Sequence, residues 1–406
     1  MMPWIHLHTT PTGVAAPCCI AESCATDDGV GNSRTQSLDE LVNSDSMKQL
    51  RLDMLAGRKN AECTKCYEHE KQGVKSFRQF SSDEWKHAFS DVIENTDLED
   101  GSLKKFKMRY FDIRFSNICN FKCRTCGSGF STQWEQEDLK SGVFYAKVLP
   151  KNNNPKFLQN VIDQIDNMEV AYFAGGEPLI TEEHYIILEE MIKRGKTDIK
   201  LRYNTNLSNF KYKNKDILDL WSKFEHDVEI YASIDHYGKR AEYIRHGTVW
   251  ETVEKNFIRA KHTGFINIQI NTVLSAFNYL TIFDFYKYLI DNKMYTPEDN
   301  IYTLYNMSTP DFLTCHILPP ELKEKGNQSI KDAIAYMQSH GFRKEQIDQL
   351  EITEQWVNSK NTWAEHQAKF REEVKRLDAL RDEDFMETFP EISKLYKVDR
   401  KKMWPV

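Results

Sequence analysis

Segments with the pattern of β-strands alternate with segments with the pattern of helices through the middle of the chain. The alternation of Phe111, Ile113 and Phe115 with polar residues is typical of a strand. Five more strand candidates follow, at residues 170–174, 201–203, 228–234, 266–273 and 301–305. Helical patterns lie between them, at residues 181–194, 216–223, 248–262 and 280–292. Strands separated by helices pair in parallel through right-handed crossovers. This order predicts an α/β fold.

The core of that fold is expected over residues 108–310, as a partial (β/α)6 TIM-like barrel with its functional residues at the carboxyl ends of the strands. A flat, doubly wound parallel sheet is the alternative, and it would place functional residues at the same edge. In both architectures, motifs that directly follow a strand are expected to meet in space.

The 406 residues are enough for two or three domains. Residues 1–80 are expected to form a small cysteine-rich domain, residues 81–107 a connector and residues 311–406 a helical C-terminal extension. Within the first of these, residues 11–34 are rich in small and turn-forming residues and favour a loop framework, whereas residues 37–57 have helical spacing.

In the C-terminal extension, Thr362 and Glu365 have the spacing of a capping box at the start of an amphipathic helix. One face of that helix carries Trp363, Phe370 and Val374, which predicts packing against the rest of the protein.

Composition excludes several classes of protein. The 54 basic and 61 acidic residues give a net charge of −7, which argues against a large nucleic-acid surface. No apolar run is long enough to span a bilayer, and the first residues lack the pattern of a secretory signal. We therefore expect a cytoplasmic protein.

The arrangement of the cysteines indicates a metal site. Eight of the 9 cysteines lie in two clusters, and only Cys315 stands alone. The clustered residues are Cys18, Cys19, Cys24, Cys63, Cys66, Cys119, Cys123 and Cys126. In a reducing compartment, clustered thiols are more often metal ligands than disulfide partners.

Cys119, Cys123 and Cys126 form a C-x3-C-x2-C motif directly after the first barrel strand. Three thiolates on one loop can hold three irons of a 4Fe–4S cluster, and a fully closed site needs four. The fourth iron would stay open to a substrate or cofactor. A zinc site or a redox dithiol is the alternative, although this spacing is unusual for zinc.

The motif resembles that of the radical S-adenosylmethionine (SAM) enzymes, and the resemblance extends over residues 108–307. It implies a catalytic 4Fe–4S cluster that binds SAM through its amine and carboxylate. Electron transfer would then cleave the sulfonium and yield a deoxyadenosyl radical that abstracts hydrogen from a substrate. A reducing donor such as flavodoxin or ferredoxin is the implied partner.

Gly175, Gly176 and Glu177 begin a Gly-Gly-Glu-Pro segment after the second strand, which resembles the GGEP motif of the same family. The two glycines expose backbone carbonyls without a Cβ atom in the way. Those carbonyls and the Glu177 carboxylate could accept hydrogen bonds from the ammonium group of SAM. A simple turn is the alternative interpretation.

Polar residues also follow the third and fourth strands. The resemblance implies that Asn204 or Asn206 reaches the ribose hydroxyls and that Ser233 contacts the ribose or the carboxylate of SAM. It also implies that Arg245 pairs with the carboxylate. The alternatives are helix capping for the asparagines and a surface salt bridge for Arg245.

The family usually places an aromatic residue before the third cysteine, and this chain has Thr125 there. Adenine is therefore expected to pack on backbone or on other groups, with Asn271 and Val273 of the fifth strand beside it. The cluster ligands themselves are intact.

The N-terminal residues resemble the auxiliary iron–sulfur region of SPASM and twitch enzymes. The matching pieces are Pro3-Trp4, Gly13, Pro17-Cys18-Cys19, Gly31-Asn32, Ser37-Leu38, Arg51 and Cys63-x-x-Cys66. The best ligand candidates are Cys63, Cys66 and Cys19, with Cys18 or Cys24 as the fourth. Zinc is an open alternative. Such a region generally follows the barrel, and here it precedes it.

These features together predict a radical SAM enzyme acting on a peptide or a small molecule. An RNA-modifying radical SAM enzyme is one alternative, disfavoured by the net charge. A non-catalytic zinc-binding interaction protein is the other, and metal analysis would separate it from the enzymes.

Overall fold

The computed structural model describes residues 1–24, 29–71, 73, 75–142 and 154–395. The strands within these ranges are β1 His6–Thr9, β2 Val14–Ala16, β3 Gly31–Asn32, β4 Tyr110–Ile113, β5 Val170–Phe173, β6 Lys200–Thr205, β7 Lys211–Tyr212, β8 Lys215–Asp216, β9 Val228–Ser233, β10 Ile266–Leu274 and β11 Thr303–Asn306. The α-helices there are α1 Met2–Ile5, α2 Leu38–Val42, α3 Asp45–Leu55, α4 Thr64–Lys71, α5 Phe77–Glu84, α6 Phe89–Glu94, α7 Thr132–Ser141, α8 Pro155–Ile162, α9 Glu182–Lys193, α10 Ile217–Trp221, α11 Gly238–Ile244, α12 Trp250–Lys261, α13 Ile282–Asp291, α14 Pro320–Ser339, α15 Lys344–Asn358, α16 Trp363–Arg381 and α17 Phe385–Thr388.

One sheet organises the described residues, with the strand order β11-β10-β9-β6-β5-β4-β1-β2-β3. The six strands from β4 to β11 in this sheet pair in parallel and coincide with the six strand candidates of the sequence. Helices connect them, because consecutive parallel strands need a crossover. The predicted α/β class and the partial barrel are confirmed.

The N-terminal strands extend this sheet, which the sequence did not predict. β1 pairs in parallel with β4, placing His8 opposite Asp112, and β2 and β3 follow antiparallel. His8 Nδ1 lies 2.8 Å from Asp112 Oδ2 in a buried contact. The loop framework expected for residues 11–34 is therefore wrong where β2 and β3 lie. These strands have three and two residues, which is too short to show a period in the sequence.

The two faces of the barrel strands differ in polarity. In β9, Val228, Ile230 and Ala232 are buried, and they alternate with the half-buried Glu229 and Tyr231. The apolar face joins the core that also contains helix residues of α9 and α12. The other face is polar and ends at the cavity described below. The alternation thus separates a packing surface from a surface that can meet a ligand.

Some local predictions need correction. Residues 37–57 form two helices and not one, because the chain breaks at Asn43 and Ser44 and a new helix starts at Asp45. Thr362 precedes α16 but makes no capping hydrogen bond with its side chain, since its backbone is not extended (φ −114°, ψ 16°).

The predicted connector carries α6, and the C-terminal extension is helical as far as it is described; residues 396–406 lie outside the described residues. None of the described helices is both long and apolar enough to cross a bilayer.

Candidate functional site

A cavity of about 270 Å³ opens at the carboxyl ends of the barrel strands. Its lining includes the loop after β4, the turn after β5 and the ends of β6, β9 and β10. All three motif cysteines line it together with six residues predicted to bind the cofactor: Cys119, Cys123, Cys126, Gly175, Gly176, Glu177, Asn204, Ser233 and Arg245. Residues as far apart as Arg114 and Val273, 159 positions along the chain, meet here because the carboxyl ends of parallel strands share one edge.

The protein around the cysteine loop changes the chemistry of its thiols, although Cys119 and Cys123 are half-buried and Cys126 is exposed. Burial raises the pKa of all three, and that of Cys123 reaches about 12. The Phe121 N–H donates to Cys119 Sγ at 3.4 Å, and Arg245 Nη1 lies 4.0 Å from Cys123 Sγ. These thiols therefore keep their protons at neutral pH unless a metal displaces them.

The Gly-Gly-Glu turn packs directly on this loop. A Cβ atom on Gly176 would lie 2.2 Å from the carbonyl oxygen of Ile118, so only glycine fits. The Glu177 N–H donates to the same Ile118 carbonyl at 2.8 Å. Backbone contact thus fixes the distance between the turn after β5 and the loop after β4.

Glu177 is 1% exposed, and protein groups already occupy its carboxylate. It accepts hydrogen bonds from Leu179 N at 3.1 Å, Thr205 Oγ1 at 2.8 Å and Asn206 N at 2.7 Å. The side chain therefore ties the end of β5 to the end of β6. Its contact with an ammonium group stays a prediction, as does that of the backbone carbonyls of the turn.

Glu177 should make stability depend on pH. Burial raises its pKa to about 7, against hydrogen bonds from Asn206 and Thr205 that lower it. Between its usual value of 4.5 and about 7, the native protein binds a proton that the unfolded chain does not. Stability conferred at this site must therefore fall as the pH rises through that window.

The variant Glu177→Gln has no carboxyl group at this position and therefore cannot bind that proton. We expect the free energy of unfolding of the wild type, relative to the variant, to drop by roughly 1–3 kcal/mol between about pH 5 and about pH 8. Denaturant unfolding of the unloaded proteins at both pH values measures it. A difference that does not change with pH would contradict the assignment.

Arg245 does not lie at the surface, so the alternative of a surface salt bridge is wrong. Its Nε lies 2.8 Å from Asp235 Oδ2, and its Nη2 donates to Oδ1 at 3.1 Å. Asp235 is fully buried and also accepts from Val273 N at 2.8 Å. The pair fixes Arg245 between the end of β9 and Cys123, where it still borders the cavity.

Arg114 also lines the cavity, and its sequence context did not single it out. Its stem packs on Gly175, and its one ion pair in the described residues is a 3.4 Å contact with Asp112. Its terminal guanidinium nitrogens therefore stay available to an anionic group in the cavity. The signal that could have found it is its position just past β4, two residues after the polar Asp112.

The N-terminal cysteines lie near one another, and three of them share a pocket. Cys18, Cys63 and Cys66 line one small pocket. Cys24 Sγ donates to the Cys18 carbonyl at 3.0 Å. Burial, and after it the charge of Asp112, raises the pKa of Cys19 to about 12. Three of the four predicted ligands, Cys18, Cys63 and Cys66, therefore share this pocket, and Cys19 is not among its lining residues. In the described part of the chain, no three His, Cys, Asp or Glu side chains converge on a single metal ion.

Comparison with known families agrees with this geometry. The family model of the Radical SAM superfamily matches residues 113–288. The chain contains a radical SAM domain. A second family model, the SPASM iron–sulfur cluster-binding domain, matches residues 1–67, ahead of the radical SAM domain. The family resemblance predicted from the sequence is confirmed, including the N-terminal place of the SPASM region.

No curated protein sequence matches the chain. Among solved structures, native anSMEcpe with bound AdoMet has a TM-score of 0.38 at 16% identity, over 56% of this chain and 60% of that chain. Native anSMEcpe with bound AdoMet and Cp18Cys peptide has a TM-score of 0.37 at 16% identity, over 55% and 57%. The matched region spans less than two thirds of either structure.

The radical SAM domain implies a 4Fe–4S cluster and SAM, and the SPASM domain implies auxiliary iron–sulfur clusters. The cavity fits the first pair. It offers three thiols on one loop, the guanidinium of Arg114, and the half-buried Asn204 and Ser233. On β10 beside it, Asn271 has a buried side-chain oxygen with no partner in the described residues. A cubane distributes its thiolates over separate irons, so convergence on one ion is not required.

Proposed function

We propose that this protein reductively cleaves SAM at a 4Fe–4S cluster held by Cys119, Cys123 and Cys126, and uses the radical to abstract hydrogen from a peptide or a small molecule. The observation that carries the proposal is the single cavity shared by these cysteines and the residues predicted to bind SAM. A dithiol site or a structural zinc site would not need the second set.

When bound, the cluster would pass one electron from an external reductant to SAM, and SAM would supply the hydrogen-abstracting radical. The chain supplies position. The carbonyls of Gly175 and Gly176 accept from the SAM ammonium group, at a distance from the loop that the backbone contact with Ile118 fixes. Ser233 and Asn204, at the ends of neighbouring strands, offer hydrogen-bonding groups to the ribose.

Two arginines border the cavity, and their side chains differ in how firmly the protein holds them. Arg245 is held by both oxygens of the buried Asp235, whereas Arg114 makes one longer contact with Asp112. We propose that Arg245 supplies fixed positive charge beside Cys123, and that Arg114 is free to grip a carboxylate. That carboxylate belongs to SAM or to the substrate.

The substrate is proposed to lie on the polar face of the barrel, between the cysteine loop after β4 and the N-terminal cysteines. This face carries Glu229 and Tyr231 beside Arg202, whose Nε lies 2.8 Å from the Glu229 carboxylate. Such a surface suits a substrate rich in hydrogen-bonding groups, such as a peptide backbone or a polar small molecule. A flavodoxin or ferredoxin is the proposed electron donor.

For the auxiliary site we propose a metal centre that includes Cys18, Cys63 and Cys66, because the structure places these three in one pocket. We expect Cys18→Ala to lose the N-terminal metal and Cys19→Ala to keep it. Metal analysis and electron paramagnetic resonance of both variants measure this. Loss of metal from the Cys19 variant would restore the ligand set predicted from the sequence, and zinc without auxiliary iron would replace the cluster with a zinc site.

The test of the main proposal is anaerobic reconstitution of the chain with iron and sulfide, followed by addition of a reductant and SAM. We expect cluster absorbance and formation of 5′-deoxyadenosine. A reconstituted protein that holds no iron at the loop after β4, or holds iron but never cleaves SAM, would contradict the proposal.

A further inference from the structure

Arg124 lies between Cys123 and Cys126, and its side chain turns away from the cavity into the C-terminal helices. The side chain is 1% exposed, and its Nη2 lies 2.6 Å from Asp378 Oδ1 and 2.5 Å from Glu383 Oε2. Asp378 belongs to α16, and Glu383 follows the end of that helix. A residue of the cysteine loop therefore forms a buried ion pair with carboxylates more than 250 positions away.

The carboxylates are held as firmly as the arginine. Asp378 Oδ1 accepts from the Tyr243 hydroxyl at 2.7 Å, and Glu383 Oε1 lies 2.6 Å from His246 Nδ1. The Arg124 guanidinium stacks 3.6 Å from the centre of the Tyr243 ring. The hydrogen-bond partners of the Arg124 guanidinium thus all belong to the segment after β9 or to the C-terminal region around α16.

That segment is also bonded to the cysteine loop through the backbone. Lys122 N donates to the His246 carbonyl at 2.9 Å, and Arg124 N donates to the Ile244 carbonyl at 2.8 Å. The loop, the segment around Tyr243 and α16 therefore form one hydrogen-bonded unit around Cys123.

A second buried ion pair closes the other side of the loop. Arg381, at the end of α16, has a fully buried side chain and donates to Glu137 of α7 at 2.7 Å. Lys122 Nζ lies 2.5 Å from the same carboxylate. Arg381 also lies over the ring of Trp134, whose Nε1 donates to the Cys123 carbonyl at 2.7 Å. Helix α16 thus reaches Cys123 from two directions.

We infer that α16 is part of the site of the catalytic cluster. Asp378 and Glu383 clamp Arg124, and the clamp positions the Cys123–Cys126 segment and neutralises a positive charge beside it. Arg124 is a positioning residue, since it faces away from the cavity. The inference rests on the proposed function only for the identity of the cluster.

The charges give the clamp a signature that a purely structural contact lacks. A reduced cluster carries one more negative charge than an oxidised one, so nearby uncompensated positive charge favours reduction. Removing the two carboxylates from Arg124 should therefore raise the midpoint potential of the cluster. Removing Arg124 from the carboxylates should lower it.

The test compares the reconstituted full chain carrying Asp378→Asn and Glu383→Gln with a control carrying Glu365→Gln and Glu372→Gln, whose carboxylates are exposed on α16. Both pairs change the net charge equally. We expect a positive shift of the midpoint potential only in the first, and a negative shift in Arg124→Met. We also expect several-fold faster alkylation of Cys123 in the unloaded Asp378/Glu383 variant than in the control.

Potentials and alkylation rates equal to those of the control would overturn the inference, even if the variant were less stable. The single variants Asp378→Asn and Glu383→Gln each keep one carboxylate and replace the double variant in the test if that one does not fold. We expect each to shift the midpoint potential in the same direction by a smaller amount. If the wild type takes up no cluster, the proposed function fails, whereas the alkylation of Cys123 still decides whether the clamp exists.

Discussion

Replacing Cys123 by alanine is expected to abolish the cleavage of SAM and to remove the iron of one cluster from the reconstituted protein. With Cys119 and Cys126 alone, the loop keeps two thiolates, and a cubane with one open iron needs three. Cys123 Sγ also lies 4.0 Å from Arg245 Nη1, so its loss removes the ligand next to the fixed positive charge. Iron and sulfide analysis, with measurement of 5′-deoxyadenosine, shows both effects.

Cys315→Ala is the matched control for that variant. Cys315 is fully buried and lies outside the cavity lining, so its replacement removes a thiol from the core without touching the loop. We expect it to keep the iron content and the SAM cleavage of the wild type. A Cys123 variant that cleaves SAM as the wild type does would rule out this loop as the site of the reaction.

Replacing Gly176 by alanine is the second change with a large expected effect. The new Cβ atom would lie 2.2 Å from the carbonyl oxygen of Ile118 and 2.9 Å from the carbonyl carbon of Asn117. Both are backbone atoms of the loop that leads into Cys119, so a side chain cannot rotate away to make room. The turn and the loop must separate, at a cost on the order of 1–3 kcal/mol or more.

This separation should be visible in function as well as in stability. We expect Gly176→Ala to weaken SAM binding strongly, because the carbonyls of the turn lose their distance from the loop. Gly127→Ala is the control, since a Cβ atom there meets nothing within 4 Å and the residue lies in the same loop region. Equilibrium binding of SAM and thermal unfolding of both variants test the prediction. Equal behaviour of the two variants would refute it.

The barrel strands could be predicted because their alternation runs over enough residues to show a period. β10, with nine residues alternating between buried and half-buried, is the clearest case. β3 has two residues and β2 three, so neither produces a pattern, although both extend the same sheet. The helix break at Asn43 was equally invisible, since apolar spacing continues across it.

The residues of the candidate site that could be predicted from the sequence are those close to the end of a strand. Glu177 follows β5 and Ser233 ends β9, so the shared edge of parallel strands predicts that the two lie close together, and both line the cavity. Arg114 follows a strand too, but one arginine beside an aspartate is typical of many surfaces. Spacing gave no physical ground for preferring Cys19 to Cys18 as a ligand, because adjacent residues differ only in the direction of their side chains.

By itself, the sequence determined the α/β barrel, the cysteine loop at its mouth and the resemblance to radical SAM enzymes, because each of these depends on spacing within a short segment or on the shared edge of parallel strands. The tertiary structure alone decided that Glu177 bridges two strands, that Arg245 is tied to Asp235, and that Arg124 is clamped by Asp378 across 254 positions. The physical reason is that a buried charge must find a partner wherever the packed chain brings one, and spacing along the chain does not record which partner that is.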